Sequence, residues 1–156
     1  MSVNPGRHTS EHDGDVTVFL IGMRINHPHR VDLWAPVVAA MPLMQAYLRT
    51  HPQAGLLGYH QWFGRTTIMV SYWRSPEDLQ AFASDPDLPH LAPWRRYARL
   101  RNSEAVGVWH ETYVVPATSR EVVYVNMPDF GLGRATRVVP IGDGTRTARQ
   151  RLAAAS

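Results

Sequence analysis

Residues 16–25 read VTVFLIGMRI, an apolar run with a single charge at Arg24. Gly14-Asp15 opens it and Asn26-His27-Pro28-His29 closes it. A short continuous apolar run bounded by turn residues is the signature of a strand covered on both faces. The rest of the fold is read outward from this strand.

Downstream, residues 32–49 place Trp34, Val37, Val38, Met41, Met44 and Leu48 on one helical stripe. Asp32 stands where it can cap that helix, and Pro42 is expected to kink it or split it in two. Residues 54–63 (AGLLGYHQWF) and 66–73 (TTIMVSYW) read as two strands joined at Gly64-Arg65. Ser75-Pro76-Glu77-Asp78 then opens a second helix: a serine cap, a proline in the first turn, and an acid three residues after the cap. Residues 90–101 carry a further helical stripe through Leu91, Trp94 and Ala98. Residues 105–115 (AVGVWHETYVV) form a strand, and 121–125 (EVVYV) a shorter one.

The order is β-α-β-β-α-β plus one extra strand. That is the ferredoxin-like split βαβ arrangement of the α+β class, an antiparallel sheet with helices on one face. The other face is also apolar, so it needs a cover, and a second copy is the economical one. A homodimeric α/β barrel is therefore expected. Residues 16–135 make the domain, 1–15 read as a flexible N-terminal arm, and 136–156 as a C-terminal tail that frays.

With 156 residues, 44% of them apolar and 19% charged, one globular domain is expected. Cysteine is absent, and all sixteen basic residues are arginine. Thiol nucleophiles, disulfides, thiolate metal sites, Schiff-base lysines and a P-loop lysine are excluded. The net charge of +3 gathers at Arg95, Arg96, Arg99 and Arg101 and in the tail at Arg134, Arg137, Arg146, Arg149 and Arg151. No nucleic-acid module accompanies it, so a solvated helix face and a loose tail are expected, with no nucleic-acid partner. No stretch reaches about 20 consecutive apolar residues, and residues 1–15 lack the apolar core of a signal peptide. No membrane partner and a cytoplasmic location follow as expectations.

The chemistry-bearing residues cluster in a few places. In Trp109-His110-Glu111-Thr112-Tyr113, alternation puts His110 on one face with Val108 and Thr112, and Glu111 on the other with Trp109 and Tyr113. His110 is a candidate general base near neutral pH, or else a hydrogen-bonded core histidine. Glu111 is a candidate acid or base, or else one half of an arginine ion pair at a subunit interface. His90 and Trp94 are four apart on a helix and share a face, so His90 is a further catalytic candidate and Trp94 a flat wall for an aromatic substrate. Tyr72, Trp73, Tyr124, Asn126 and Trp34 complete the candidate substrate contacts. No ligand spacing marks a metal site. Haem is the alternative to a cofactor-free site, since one axial histidine, His90 or His110, leaves no motif. Gly131-Leu132-Gly133 lacks the remaining glycine of a dinucleotide fingerprint.

Several stretches together resemble one family of small bacterial and fungal proteins. They are Trp34-Ala35-Pro36-Val37 with Met41, Gly55-Leu56-Leu57-Gly58, Tyr72 to Leu79, His90 with Trp94, Trp109 to Tyr113, and Tyr124 to Pro128 followed by Gly131-Leu132-Gly133. The family is similar to the antibiotic-biosynthesis monooxygenase of the fumagillin pathway. The resemblance spans about residues 16–135. It implies a dimeric α/β barrel and an oxygenase of secondary metabolism. The expected activity is cofactor-independent oxygenation of an aromatic or enolic small molecule, polyketide- or terpenoid-like, with His110 as the base. The same pocket also suits a non-oxidative dehydratase, isomerase or cyclase, a haem enzyme, or a non-enzymatic ligand-binding accessory protein.

Overall fold

A computed structural model describes residues 2–87, 95 and 104–154. The chain runs β1 (Asn4–Glu11), β2 (Val16–Ile25), α1 (Val31–Thr50), β3 (Leu56–Trp62), β4 (Ile68–Trp73), α2 (Pro76–Ser84), β5 (Val106–Val115), β6 (Tyr124–Met127), α3 (Gly131–Ala135), β7 (Arg137–Pro140) and α4 (Ala148–Ala153). Four strands form an antiparallel sheet in the order β3-β4-β2-β5. This is the ferredoxin-like order. The apolar run 16–25 is an interior strand, between β4 and β5, with Val16 and Thr17 at most 1% exposed.

The helices cover the face that carries Phe19, Ile21 and Met23. Two apolar clusters hold the layers together. One joins Met23, Leu33, Ala105 and Val106, with Trp34, Val37 and Val108 against it. The other joins Leu48, Trp73 and Leu79, with Phe19, Tyr47 and Phe82 against it. α1 contributes Leu33 near one end and Leu48 near the other. By length and composition α1 is also apolar enough to cross a membrane. Here it lies on the sheet.

Gly22 shows how close the packing is. A Cβ there would stand 2.0 Å from the Thr67 carbonyl oxygen and 2.7 Å from the Trp109 indole nitrogen. Only glycine fits where that backbone and that ring meet.

Several expectations are corrected. Residues 1–15 are not a free arm: β1 pairs antiparallel with both β6 and β7 in a second sheet of order β6-β1-β7. The extra strand near 121–125 is β6, and it joins that second sheet instead of the first. The tail is ordered by β7 and α4. α4 is capped by Thr147, whose hydroxyl accepts from the Gln150 N–H. Arg151, 9% exposed, is held by Glu121 and by the Thr145 and Arg146 carbonyls. Arg137 pairs with Glu11 and Arg146 with Asp143, so much of the tail charge is neutralised.

Pro42 does not divide α1, which runs from Val31 to Thr50. Val38 and Pro42 both lie on the exposed side, so the Val38 carbonyl that loses its helical partner can meet water instead. Asp32 does not cap the helix. Arg30 occupies the cap position, and Asp32 in the first turn accepts from its guanidinium at 2.9 and 3.0 Å.

Candidate functional site

Beside the Leu48–Trp73–Leu79 cluster, the sheet and helices line a half-open cavity of about 580 Å³. That size suits a small organic ligand. Phe19 and Ile21 of β2, with Met69 and Trp73 of β4, form much of its floor. Met44 and Leu48 of α1, with Leu79 and Phe82 of α2, line its helical side. Tyr59 and Gln45 bring polar atoms at the β3 side, while His110 and Thr112 do so at the β5 side.

His110 reaches this cavity because it pairs with Ile21, and the pleat turns both to the helical face. Its ring lies 5.8 Å from that of Phe19, tilted by 41°. It is the one histidine lining the cavity among the described residues. An imidazole over an apolar floor can take a proton from a bound ligand, and it is also the side chain there suited to an axial haem bond. Among the described residues, no three His, Cys, Asp or Glu side chains group as a metal site.

Glu111 pairs with Leu20 and faces away from the cavity. It is exposed and accepts a 2.7 Å hydrogen bond from the Tyr113 hydroxyl. This bond raises the Tyr113 pKa, because the carboxylate stabilises the protonated phenol. Among the described residues no arginine pairs with Glu111.

Trp73 is 1% exposed and forms part of the cavity wall. Its indole N–H donates to the Ser71 hydroxyl at 3.0 Å, which in turn donates to the Phe19 carbonyl at 3.0 Å. The indole's polar atom is committed, leaving the ring as an apolar surface. Trp34 donates to the Pro28 carbonyl at 3.0 Å and packs on the Met23–Leu33 cluster, apart from the cavity lining. His90 and Trp94 lie outside the described residues.

Tyr72 and Tyr124 meet on the opposite side of the sheet, around α3. The Gly133 N–H donates to the Tyr124 hydroxyl at 2.9 Å, and the Gly131 N–H donates to His60 Nε2 at 2.9 Å. Accepting at Nε2 makes His60 neutral with its proton on Nδ1. Burial, and secondarily Arg134, lowers its pKa. Burial raises both tyrosine pKa values. The Phe130 ring lies 4.2 Å from that of His60. This group docks α3 on β3 and does not open into the cavity. Asn126, at φ 52°, accepts from the Gly6 N–H and ties β6 to β1.

The structure thus brings His110 and Trp73 into one cavity and puts Glu111, Tyr72, Tyr124, Asn126 and Trp34 elsewhere. Sequence reasoning missed Gln45, Tyr59 and His60. Gln45 had a usable signal, being a polar position beside Met44 in the apolar middle of the helix. Tyr59 and His60 had only strand alternation.

A family model described as monooxygenase af470-like matches residues 16–132. Monooxygenase af470 of Aspergillus fumigatus is 30% identical over 144 residues, 85% of this chain and 50% of that protein. The chain therefore spans half the length of this relative. Among solved structures, SnoaB, a cofactor-independent oxygenase from Streptomyces nogalater, matches with a TM-score of 0.45 at 11% identity, over 64% of this chain and 91% of that one. Rv0793 from Mycobacterium tuberculosis matches with a TM-score of 0.41 at 17% identity, over 62% and 92%.

Proposed function

Because the chain belongs to the monooxygenase af470-like family, we propose that it is a monooxygenase-like enzyme of secondary metabolism acting on an apolar, ring-bearing or enolic small molecule. The observation that carries this reading is the placement of His110 at one side of a 580 Å³ cavity whose floor and helical side are otherwise mostly apolar.

The chemistry follows from that placement. His110 accepts a proton from a phenol or an activated C–H of the ligand. The electron-rich anion then reduces dioxygen directly, without a bound cofactor. A ring methylene illustrates the balance: CH2 plus O2 gives C=O plus water, and the substrate supplies all four electrons. Trp73 and Phe19 hold the ring flat against the apolar floor.

Two chains are proposed to form the working unit. β5 is an edge strand of the larger sheet, and Tyr113 and Val114 on it are 50% and 55% exposed. Trp62, 43% exposed, adds to the apolar surface on β3. A second copy is the cover that fits such an edge and face.

The test is oxygen uptake by the purified protein against a panel of phenols and enols, with and without added haemin. Turnover that needs oxygen, does not need haemin, and falls about 100-fold or more in His110→Ala is the expected result. Turnover that persists under strict anaerobiosis would replace oxygenation by a dehydration, isomerisation or cyclisation. Tight ligand binding without any turnover would make the chain an accessory binding protein.

A further inference from the structure

The cavity has a second polar side, and one amide there is held in a defined orientation by another. Gln61 of β3 sits opposite Met69 of β4. Its side-chain nitrogen donates to the Trp62 and Ile68 carbonyls, each at 3.1 Å. Both amide hydrogens are used, so the other end of the amide, turned to α1, is the oxygen, an acceptor. Its partner is Gln45 of α1, whose Nε2 lies 3.4 Å from Gln61 Oε1 and 3.7 Å from Met69 Sδ. The arrangement fixes which way the Gln45 amide points. Its nitrogen is turned to Gln61 and Met69, and its oxygen is left without a partner among the described residues.

Gln45 lines the cavity, among mostly apolar neighbours. An acceptor in such a place gains from a ligand that brings a donor and loses from one that covers it without donating. His110 stands on β5, and Gln45 packs against β3 and β4. In the order β3-β4-β2-β5, β4 and β3 lie two and three strand spacings from β5, about 10 to 14 Å. The two polar groups therefore address opposite ends of a bound molecule.

We infer that Gln45 is a specificity-determining residue, accepting a hydrogen bond from a substrate hydroxyl or N–H at the end remote from His110. This rests on the reading of the cavity as the substrate site. Gln61 is a positioning residue that acts through Gln45. The substrate class narrows accordingly, to apolar ring compounds with a donor at the far end from the proton that His110 removes. A molecule with an ether or a bare ring edge at that end is discriminated against.

A matched pair of probes tests this: 2,6-dihydroxynaphthalene, and 6-methoxy-2-naphthol, which keeps one hydroxyl for His110 and masks the other. Their fluorescence reports binding to the full chain without requiring turnover. The wild-type protein is expected to prefer the diol about tenfold, the value of one well-made hydrogen bond. Gln45→Leu abolishes the preference, and Gln61→Met reduces it by freeing the Gln45 amide. His110→Ala shifts both affinities together and keeps their ratio, and Tyr59→Phe keeps it as well. Equal wild-type affinities, an unchanged ratio in Gln45→Leu, or failure of both probes to bind would overturn the inference. The two ideas fail separately. His110-dependent oxygen uptake with no probe preference removes only the role of Gln45. A Gln45-dependent preference without oxygen uptake removes only the oxygenase reading.

Discussion

His110 and Glu111 are adjacent in the chain, and the pleat of β5 sends them to different environments. His110, though exposed, looks onto Phe19 at the open side of the cavity, while Glu111 turns to the other face and meets Tyr113. His60 makes the same point on β3. Its neighbour Tyr59 lines the cavity, whereas His60 turns to the opposite face and accepts from the Gly131 N–H. Gly131 has a φ of +54°, a conformation that glycine adopts without strain, and it presents that N–H to the ring. Protonating His60 would destroy the acceptor, and burial with Arg134 nearby already lowers its pKa. The unfolded chain then binds a proton more readily than the folded one. Stability is therefore full above the ordinary histidine value near 6.5 and is lost as pH falls from there towards the lowered value. Thermal melts between pH 7.5 and about 5 should show this decline, and His60→Gln, which keeps an acceptor but cannot titrate, should flatten it. His12 is lowered in the same direction, by burial and by Arg120, so part of the slope should survive in the variant.

At the scale of elements, α4 is too short to be stable alone. It is kept by its Thr147–Gln150 capping box and by Arg151, which reaches Glu121 ahead of β6. The Arg151 side chain is 7% exposed and that of Glu121 25%. Removing the guanidinium leaves a half-buried carboxylate and the Thr145 carbonyl without their donor, while the Arg146 carbonyl keeps Arg7. Arg151→Ala is expected to cost about 2 kcal/mol, less than a fully buried pair because water still reaches Glu121. Amide exchange should quicken first in Ala148–Ala153, and denaturant unfolding gives the magnitude. An unchanged denaturation midpoint would mean that α4 docks without this contact. α1 shows the opposite balance. It is long, and its attachment at Leu33 and Leu48 tolerates Pro42 because the Val38 and Pro42 side faces outward.

For the whole molecule, the decisive feature is a sheet with one helical face and one face that is only partly covered. α3 packs on β3, where a Cβ on Gly58 would lie 2.9 Å from Ala135, but β5 keeps Tyr113 and Val114 exposed at the edge. Sedimentation at micromolar concentration is expected to give the mass of two chains. Val114→Arg, which places a charge on that edge, should give the mass of one chain with an unaltered far-UV spectrum. A wild-type monomer would show that something other than a second copy covers the face.

The sequence by itself determined the order of the main elements and the central place of residues 16–25, because apolar periodicity and turn residues are local signals. It also determined the faces of β5, since alternation alone separates His110 from Glu111. It did not reveal that residues 4–11 form a strand. NPGRHTSE carries no apolar alternation, and its pairing with β6 and β7 lies more than 110 residues away in the chain. The arginines of the tail read as solvated charge for the same reason, since Glu121 and Glu11 are distant partners. Only the tertiary structure assembled the candidate site. Gln45, Gln61 and His110 come from a helix and two strands, and neither a hydrogen-bonded amide pair nor a cavity has a sequence period. What a side chain does there depends on which backbone carbonyls and rings the fold brings beside it.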